Sequence, residues 1–154
     1  MRKLKKTTHL PFTLVRVGPP LPAEILQPLK SFLGSEGLVE LGYLNNEELA
    51  GFYSSLDCLV IPSFYEGFGL PVIEGMAARV PVVSSNTSSL PEVGGDLAFY
   101  FDPHSPAELA SVLAKIATEG VSAEHLNLAY ERAKSLSWRK CLEGIYEVYQ
   151  KVLD

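Results

Sequence analysis

Few residues here announce a chemistry outright. The chain has two cysteines, Cys58 and Cys141, in separate segments with no CxxC spacing and no histidine beside them. A structural disulfide or a thiolate metal site is therefore not expected. Cys58 falls in the apolar run Cys58-Leu59-Val60-Ile61, where a reduced thiol behaves as a small hydrophobe, and the cytoplasm is the expected compartment. No apolar run approaches the roughly 18 to 20 residues a membrane-spanning helix needs, and no apolar stretch follows the basic start to make a secretory leader. Positive charge is also scarce: the net charge of −5 gives a nucleic-acid partner no electrostatic support. The basic start (Arg2, Lys3, Lys5, Lys6) is the local exception, and it reads as a solvated terminus.

What remains is the composition of an ordinary globular domain. With 154 residues and 47% hydrophobic content the chain is long enough for one domain with a substantial core. Short apolar runs alternate with helical spacing. Phe12–Val17 reads as a strand closed by Gly18-Pro19-Pro20, and Ile25, Leu26, Leu29, Phe32 and Leu33 mark a helix that Gly34 stops. Leu38–Gly42 is a second strand, and Asn45 or Asn46 can cap a helix over Glu47–Leu56. Asp57–Pro62 has the pattern of a strand buried on both faces of a parallel sheet. Further strands follow at Pro81–Ser84 and Ala98–Phe101, and helices at Pro71 onward, Pro106–Thr118 and Ser122–Leu153, the last broken near Ser135–Trp138. Such alternation predicts a doubly wound, mostly parallel α/β sheet forming a single domain over residues 1–154.

Chemistry concentrates in Ser63-Phe64-Tyr65-Glu66-Gly67-Phe68-Gly69-Leu70-Pro71-Val72-Ile73-Glu74. This segment follows the strand that reads as most buried, so it lies at a carboxyl end of the sheet, where open α/β folds bind ligands. Gly67 and Gly69 let the backbone approach a ligand, and the amides of Phe68, Gly69 and Leu70 open a helix suited to phosphate oxygens. A helix beginning at Pro71 puts Glu74 in its first turn, with Glu66 in the loop before it. Two carboxylates flanking an amide-lined anion site suit a ligand with a diphosphate in the middle and hydroxyls at both ends. Residue by residue the pattern is less specific. Gly-x-Gly lacks the third glycine of a dinucleotide fingerprint, and a first-turn Glu74 can simply complement the helix dipole.

As a whole string, Glu-x7-Glu with Gly-Phe-Gly-Leu-Pro inside it and Pro-Val-Val after it resembles the retaining GT-B glycosyltransferases of group 1 (family 4). The resemblance extends through Leu41–Leu44, Leu56-Asp57, Pro62-Ser63, Ser84–Val93, Asp102-Pro103 and Leu136–Trp138, covering about residues 12–149 as the Rossmann-like C-terminal, donor-binding domain of that fold. It implies transfer of a hexosyl group from a nucleoside-diphosphate sugar to an acceptor hydroxyl with retention, as in polysaccharide biosynthesis. It implies that Glu66 contacts donor-sugar hydroxyls near the reacting centre and that Glu74 binds the ribose hydroxyls. The amides of Gly67, Phe68, Gly69 and Leu70 would hold the diphosphate, and backbone near Tyr43 and Leu44 would border the base. No metal and no cofactor are expected, because helix amides and basic side chains offset the leaving-group charge. The stretch Ser85–Val93 looks like the mannosyl branch, making GDP-mannose the first donor to expect and a UDP-hexose the next. The same stretch also reads as an Asn/Ser-rich turn capping the following helix.

The match departs in places. The family's paired Arg and Lys early in this domain, with the first strand and helix that carry them, find no counterpart, and Arg16 does not replace them. The acceptor-binding N-terminal domain has no counterpart either. Gly75 stands where Ala is usual, and Arg79-Val80 where a small residue and glycine are usual, so the turn before Pro81 is expected to differ at Val80. The expectation is a C-terminal piece that binds a nucleotide sugar weakly and transfers nothing alone. It would rely on a sugar or lipid-linked acceptor held by an acceptor domain or partner chain, at the cytoplasmic face of a membrane. Two strands left with open edges would favour a homodimer or a borrowed strand. A non-catalytic nucleotide-sugar-binding or interaction module is the alternative, and a sugar-nucleotide epimerase a third reading. His9, His104 and His125 read as loop or surface histidines. Tyr130, Trp138, Leu142, Ile145, Tyr146, Val148 and Tyr149 read as a packing face of the last helix.

Overall fold

The computed structural model describes residues 12–34 and 36–153. The basic start and His9 lie outside them. Five strands form: β1 (Leu14–Val17), β2 (Leu38–Leu41), β3 (Leu59–Ile61), β4 (Val82–Ser85) and β5 (Phe99–Phe101). The helices are α1 (Ala23–Leu33), α2 (Asn46–Ser54), α3 (Leu70–Ala77), α4 (Leu90–Gly94), α5 (Pro106–Glu119), α6 (Ala123–Ser135) and α7 (Trp138–Leu153), with a short 3₁₀ turn over Gly95–Leu97. Each expected element is present; β1, β2, β3 and β5 are shorter than their apolar runs by one to three residues, and β4 is shifted by one residue. Asn45, not Asn46, caps α2: its side chain accepts from the amides of Glu47 and Glu48, while Glu48 returns a bond to the Asn45 amide at 2.8 Å.

Every strand pairing is parallel, but the described strands do not make one continuous sheet. β1 pairs with β2, Leu14 opposite Leu38, and β3-β4-β5 form a second sheet with Leu59 opposite Val82 and Val83 opposite Phe99. Among the described residues no pairing joins β1 to β3. This arrangement also corrects the burial reading. Leu59 and Val60 of β3 are half-buried, whereas all four residues of β4 are buried. β4 has a hydrogen-bonded neighbour on each side and β3 has one, which is the difference an apolar run cannot show.

The core gathers Ile61 of β3, Val82 of β4, Val72 and Met76 of α3, Leu90 and Val93 of α4, and Ala129 and Ala133 of α6. The small residues on α6 let α3 lie against it, and this is the most extensive helix packing in the molecule. The chain leaves α3 through Arg79, whose φ of 56° is left-handed. The expected departure therefore falls on Arg79, and Val80 is buried with ordinary backbone. Strain of about 1 kcal/mol at such a position is offset by two contacts: Arg79 Nε donates to Asn127 Oδ1 at 3.1 Å, and its guanidinium lies 3.7 Å from the centre of the Tyr130 ring.

The last helix overturns an expectation. α7 presents its apolar stripe, but none of its residues is buried, and Trp138 is 77% exposed. Helical spacing marks the face that can be covered; no described element covers it. No helix among the described residues is long and apolar enough to cross a membrane.

Two predictions follow from this packing. On helix propensity alone Gly75→Ala gains up to about 1 kcal/mol. A Cβ there, however, would stand 2.7 Å from Leu59 Cδ2 and 2.9 Å from Val82 Cγ2, and crowding a β-branched core residue costs about 1 to 3 kcal/mol. We expect a net loss of about 1 kcal/mol in urea unfolding, and a gain would mean that β3 yields freely. Burial pushes the Cys58 thiol up to about 12, while Cys141 is exposed. A thiol reagent at pH 8 should then label Cys141 alone in the folded protein, and both cysteines after denaturation.

Candidate functional site

β3 ends at Ile61, and the loop from Pro62 to Gly69 carries the chain into α3. Gly69 is the N-cap of α3 in a left-handed conformation, φ 100°. The amides of Gly67, Phe68, Gly69 and Leu70 donate to no other described residue, so they are the loop's unspent donors at a helix N-terminus. Pro71 occupies the first turn, where its missing N–H costs nothing.

The loop is held from the side by the turn between β4 and α4. Ser88 Oγ accepts from the Glu66 amide at 3.0 Å, and Ser89 Oγ lies within 3.0 and 2.9 Å of the Glu66 and Phe68 carbonyl oxygens. Ser88 itself is left-handed, φ 51°, a conformation non-glycine residues adopt chiefly where surrounding contacts hold them. The reading of this stretch as an Asn/Ser-rich cap for the next helix is therefore corrected. Ser89 stands at the N-cap of α4 but makes no side-chain cap bond, because its hydroxyl is turned to the neighbouring loop.

The two carboxylates are anchored by different elements. Glu66, half-buried in the loop, accepts from Ser63 Oγ at 2.7 Å through Oε1. Glu74 lies in the second turn of α3, not the first. Its carboxylate is thus removed from the dipole-complementing position and accepts instead from the Tyr53 hydroxyl of α2, 2.7 Å from Oε2. Between α2 and α3 opens a cleft of about 380 Å³, lined by Asn46, Leu49, Ala50, Tyr53, Ser54, Glu74, Ala77 and Ala78. Burial, reinforced by the carboxylate beside it, raises the Tyr53 phenol well above its usual range.

Not every expected residue comes together here. Tyr43, 84% exposed, and Leu44 sit in the loop before α2 and do not line the cleft, which reaches that end of α2 only through Asn46. Phe68 and Leu70 are exposed beside the loop amides. His104 lies tilted against Phe64 with ring centres 4.9 Å apart, and His125 departs from the loop-or-surface reading: it is half-buried on α6, Nε2 3.0 Å from the Leu97 carbonyl oxygen. Arg16 is turned to the Pro19 carbonyl and to Glu40. Among the described residues no cluster of three metal-ligating side chains occurs. Tyr53 and the hydroxyls of Ser63, Ser88 and Ser89 were missed as site residues. For Tyr53 a signal existed: Asn46, Leu49, Ala50 and Tyr53 share one helical face.

Comparison with known proteins gives the family and the fold. The family model "Glycosyl transferases group 1" matches residues 1–135. "O-antigen chain mannosyltransferase B" of Escherichia coli is 39% identical over 111 residues, 71% of this chain and 29% of its own length. Among solved structures, the sucrose-phosphate synthase of Thermosynechococcus elongatus superposes with a TM-score of 0.77 at 26% identity, over 92% of this chain and 38% of that one. Anabaena HepE, solved with UDP and glucose, gives 0.79 at 20% identity over 98% of this chain and 44% of that one. The chain spans between 16% and 34% of the length of the curated relatives it matches.

The loop's shape generates a prediction of its own. Gly69→Ala must hold a strained φ and place its Cβ 2.8 Å from Leu90 Cδ2. A loss of about 2 kcal/mol or more in chemical denaturation is expected, with faster exchange of the Glu66 amide, which Ser88 holds; wild-type stability would show that the turn has an alternative shape.

Proposed function

The chain belongs to the group 1 glycosyl transferases, and from that premise we propose that it is the donor-binding domain of a hexosyltransferase that carries a mannosyl group from a nucleoside-diphosphate sugar. One observation carries the reading: the unspent amides of Gly67–Leu70 stand at a helix N-terminus between two carboxylates that are each anchored by a hydroxyl. Amides there offer donor geometry and roughly half a positive charge to a diphosphate. Glu74 then receives the ribose hydroxyls, and Glu66 receives hydroxyls of the donor sugar near the anomeric carbon. Backbone at Tyr43 and Leu44 borders the base.

The mannosyl choice is supported by a relative named as a mannosyltransferase of O-antigen chains, and a polysaccharide-building role on the cytoplasmic side goes with it. A diphosphate in the HepE structure supports a nucleotide on this fold. The chemistry asked of the site is electrostatic. As the glycosidic bond to the diphosphate breaks, negative charge collects on the leaving oxygens, and donors fixed beforehand stabilise it without reorganising. Retention places the acceptor hydroxyl on the same face of the sugar as the departing diphosphate. That hydroxyl would be brought by an acceptor domain or partner chain. With helix amides as the main anion donors, the chain alone should bind in the range of about 0.1 to 1 mM.

Calorimetric titration with GDP, GDP-mannose, UDP, UDP-glucose and ADP-glucose tests this. We expect saturable binding to the guanosine series, weakened at least about tenfold by Glu74→Ala, since a carboxylate that accepts two hydroxyls is worth more than one neutral hydrogen bond. A folded protein that binds none of the five would overturn the donor-site reading.

A further inference from the structure

Glu74 is an unusual carboxylate for one that merely stabilises a helix. It lies past the first turn of α3, and among the described residues it has no ion-pair partner. Among the described residues its carboxylate has one hydrogen-bond donor, the Tyr53 hydroxyl, which reaches Oε2 from α2. Tyr53 is itself only 8% exposed, its ring set beside Phe52 with centroids 5.7 Å apart, so the hydroxyl is delivered from a fixed place. Both groups line the cleft between α2 and α3.

We infer that Tyr53 is a positioning residue for nucleoside recognition: by donating to Oε2 it holds the Glu74 carboxylate in one orientation, with its other lone pairs turned to a vicinal diol. The inference rests on the donor-site reading above. A free glutamate samples several rotamers and loses that freedom when it binds, an entropy cost of up to about 2 kcal/mol on general scales. A tethered carboxylate has lost most of it on folding, so its contact with the ligand is stronger. A carboxylate has about four acceptor sites. With one occupied by Tyr53, enough remain for both hydroxyls of a ribose, and a nucleotide lacking them finds Glu74 without donors. The discriminated feature is therefore the 2′,3′-diol. Because burial keeps the phenol protonated at ordinary pH, Tyr53 remains a donor, and the preference should not change between pH 6 and 9.

The test compares the affinity for GDP, or for UDP if that is the base bound, with that for its 2′,3′-dideoxy counterpart, in wild type and in Tyr53→Phe of verified fold. The wild type should favour the ribose form by about twentyfold, and Tyr53→Phe by about fivefold or less, with affinity for the dideoxy form unchanged within about twofold. Partial unfolding would weaken both nucleotides alike and leave the ratio intact, so the ratio reports positioning. A Tyr53→Phe variant with the wild-type ratio overturns the role of Tyr53 while the donor site stands. A wild type that binds both forms equally overturns Glu74 as the diol acceptor, and with it Tyr53. No binding of either form by folded wild type overturns the donor-site reading itself. If Tyr53→Phe does not fold, the unsubstituted protein decides the matter. Its Tyr53 hydroxyl proton should shift further with the ribose nucleotide than with the dideoxy one, and equal shifts would count against the proposal.

Discussion

The turn at Gly69 is the constraint on which the site depends. Its left-handed φ of 100° swings the chain from the β3 loop into α3, and the fully buried Leu90 leaves room there for a hydrogen but not a methyl group. Conformation and space make the same demand, so glycine is required twice. Leu90 heads α4, and the serines just before it reach across to the Glu66 amide and the Glu66 and Phe68 carbonyl oxygens. One contact surface thus sets the helix start, leaves the amides of Gly67–Leu70 without partners, and holds Glu66 in place. Loops that bind ligands are often mobile, but this one is fastened to the edge of the core.

A second consequence follows from α2. That helix is capped by Asn45 and Glu48 and sits against α3. Its Tyr53 places a hydroxyl under Glu74, while Ser63 does the same for Glu66 from the other side of the motif. The seven residues between the carboxylates thus separate two groups with different supports. This suits a ligand whose polar ends must be met independently: a sugar at one end, a nucleoside at the other and a diphosphate over the helix start between them. The small residues Ala129 and Ala133 on α6, with Arg79 stacked on Tyr130, fasten the far end of α3. The helix that carries Glu74 is therefore held along its length.

Much of this was legible from residue order. The strands and helices followed from apolar periodicity, the loop at the carboxyl end of β3 from the apolar run before Ser63, and the family from the string Glu66 to Glu74. The break between α6 and α7 was legible at Ser135–Trp138. Local rules misplaced what depended on neighbours. Glu74 was read into the first helical turn because Pro71 was taken as the start, whereas α3 begins at Leu70. The stretch Ser85–Val93 was read as a cap because it precedes a helix, yet the hydroxyl of Ser89 serves a loop more than twenty residues back. The stripe of α7 was read as core because its period is helical, yet Trp138, Tyr146 and Tyr149 face solvent.

By itself the sequence determined the alternation of strands and helices, the parallel fold class and the motif that marks the family, because these are properties of dihedral preference, periodicity and residue type within a short window. Only the tertiary structure decided that β4 is the buried strand, that Arg79 takes the left-handed turn, and that Gly75 has no room for the alanine its helix would prefer. It likewise decided that Tyr53 and Glu74, 21 residues apart, share a hydrogen bond. Burial, clearance and hydrogen-bond geometry are relations between segments, and they acquire values only when those segments are packed together.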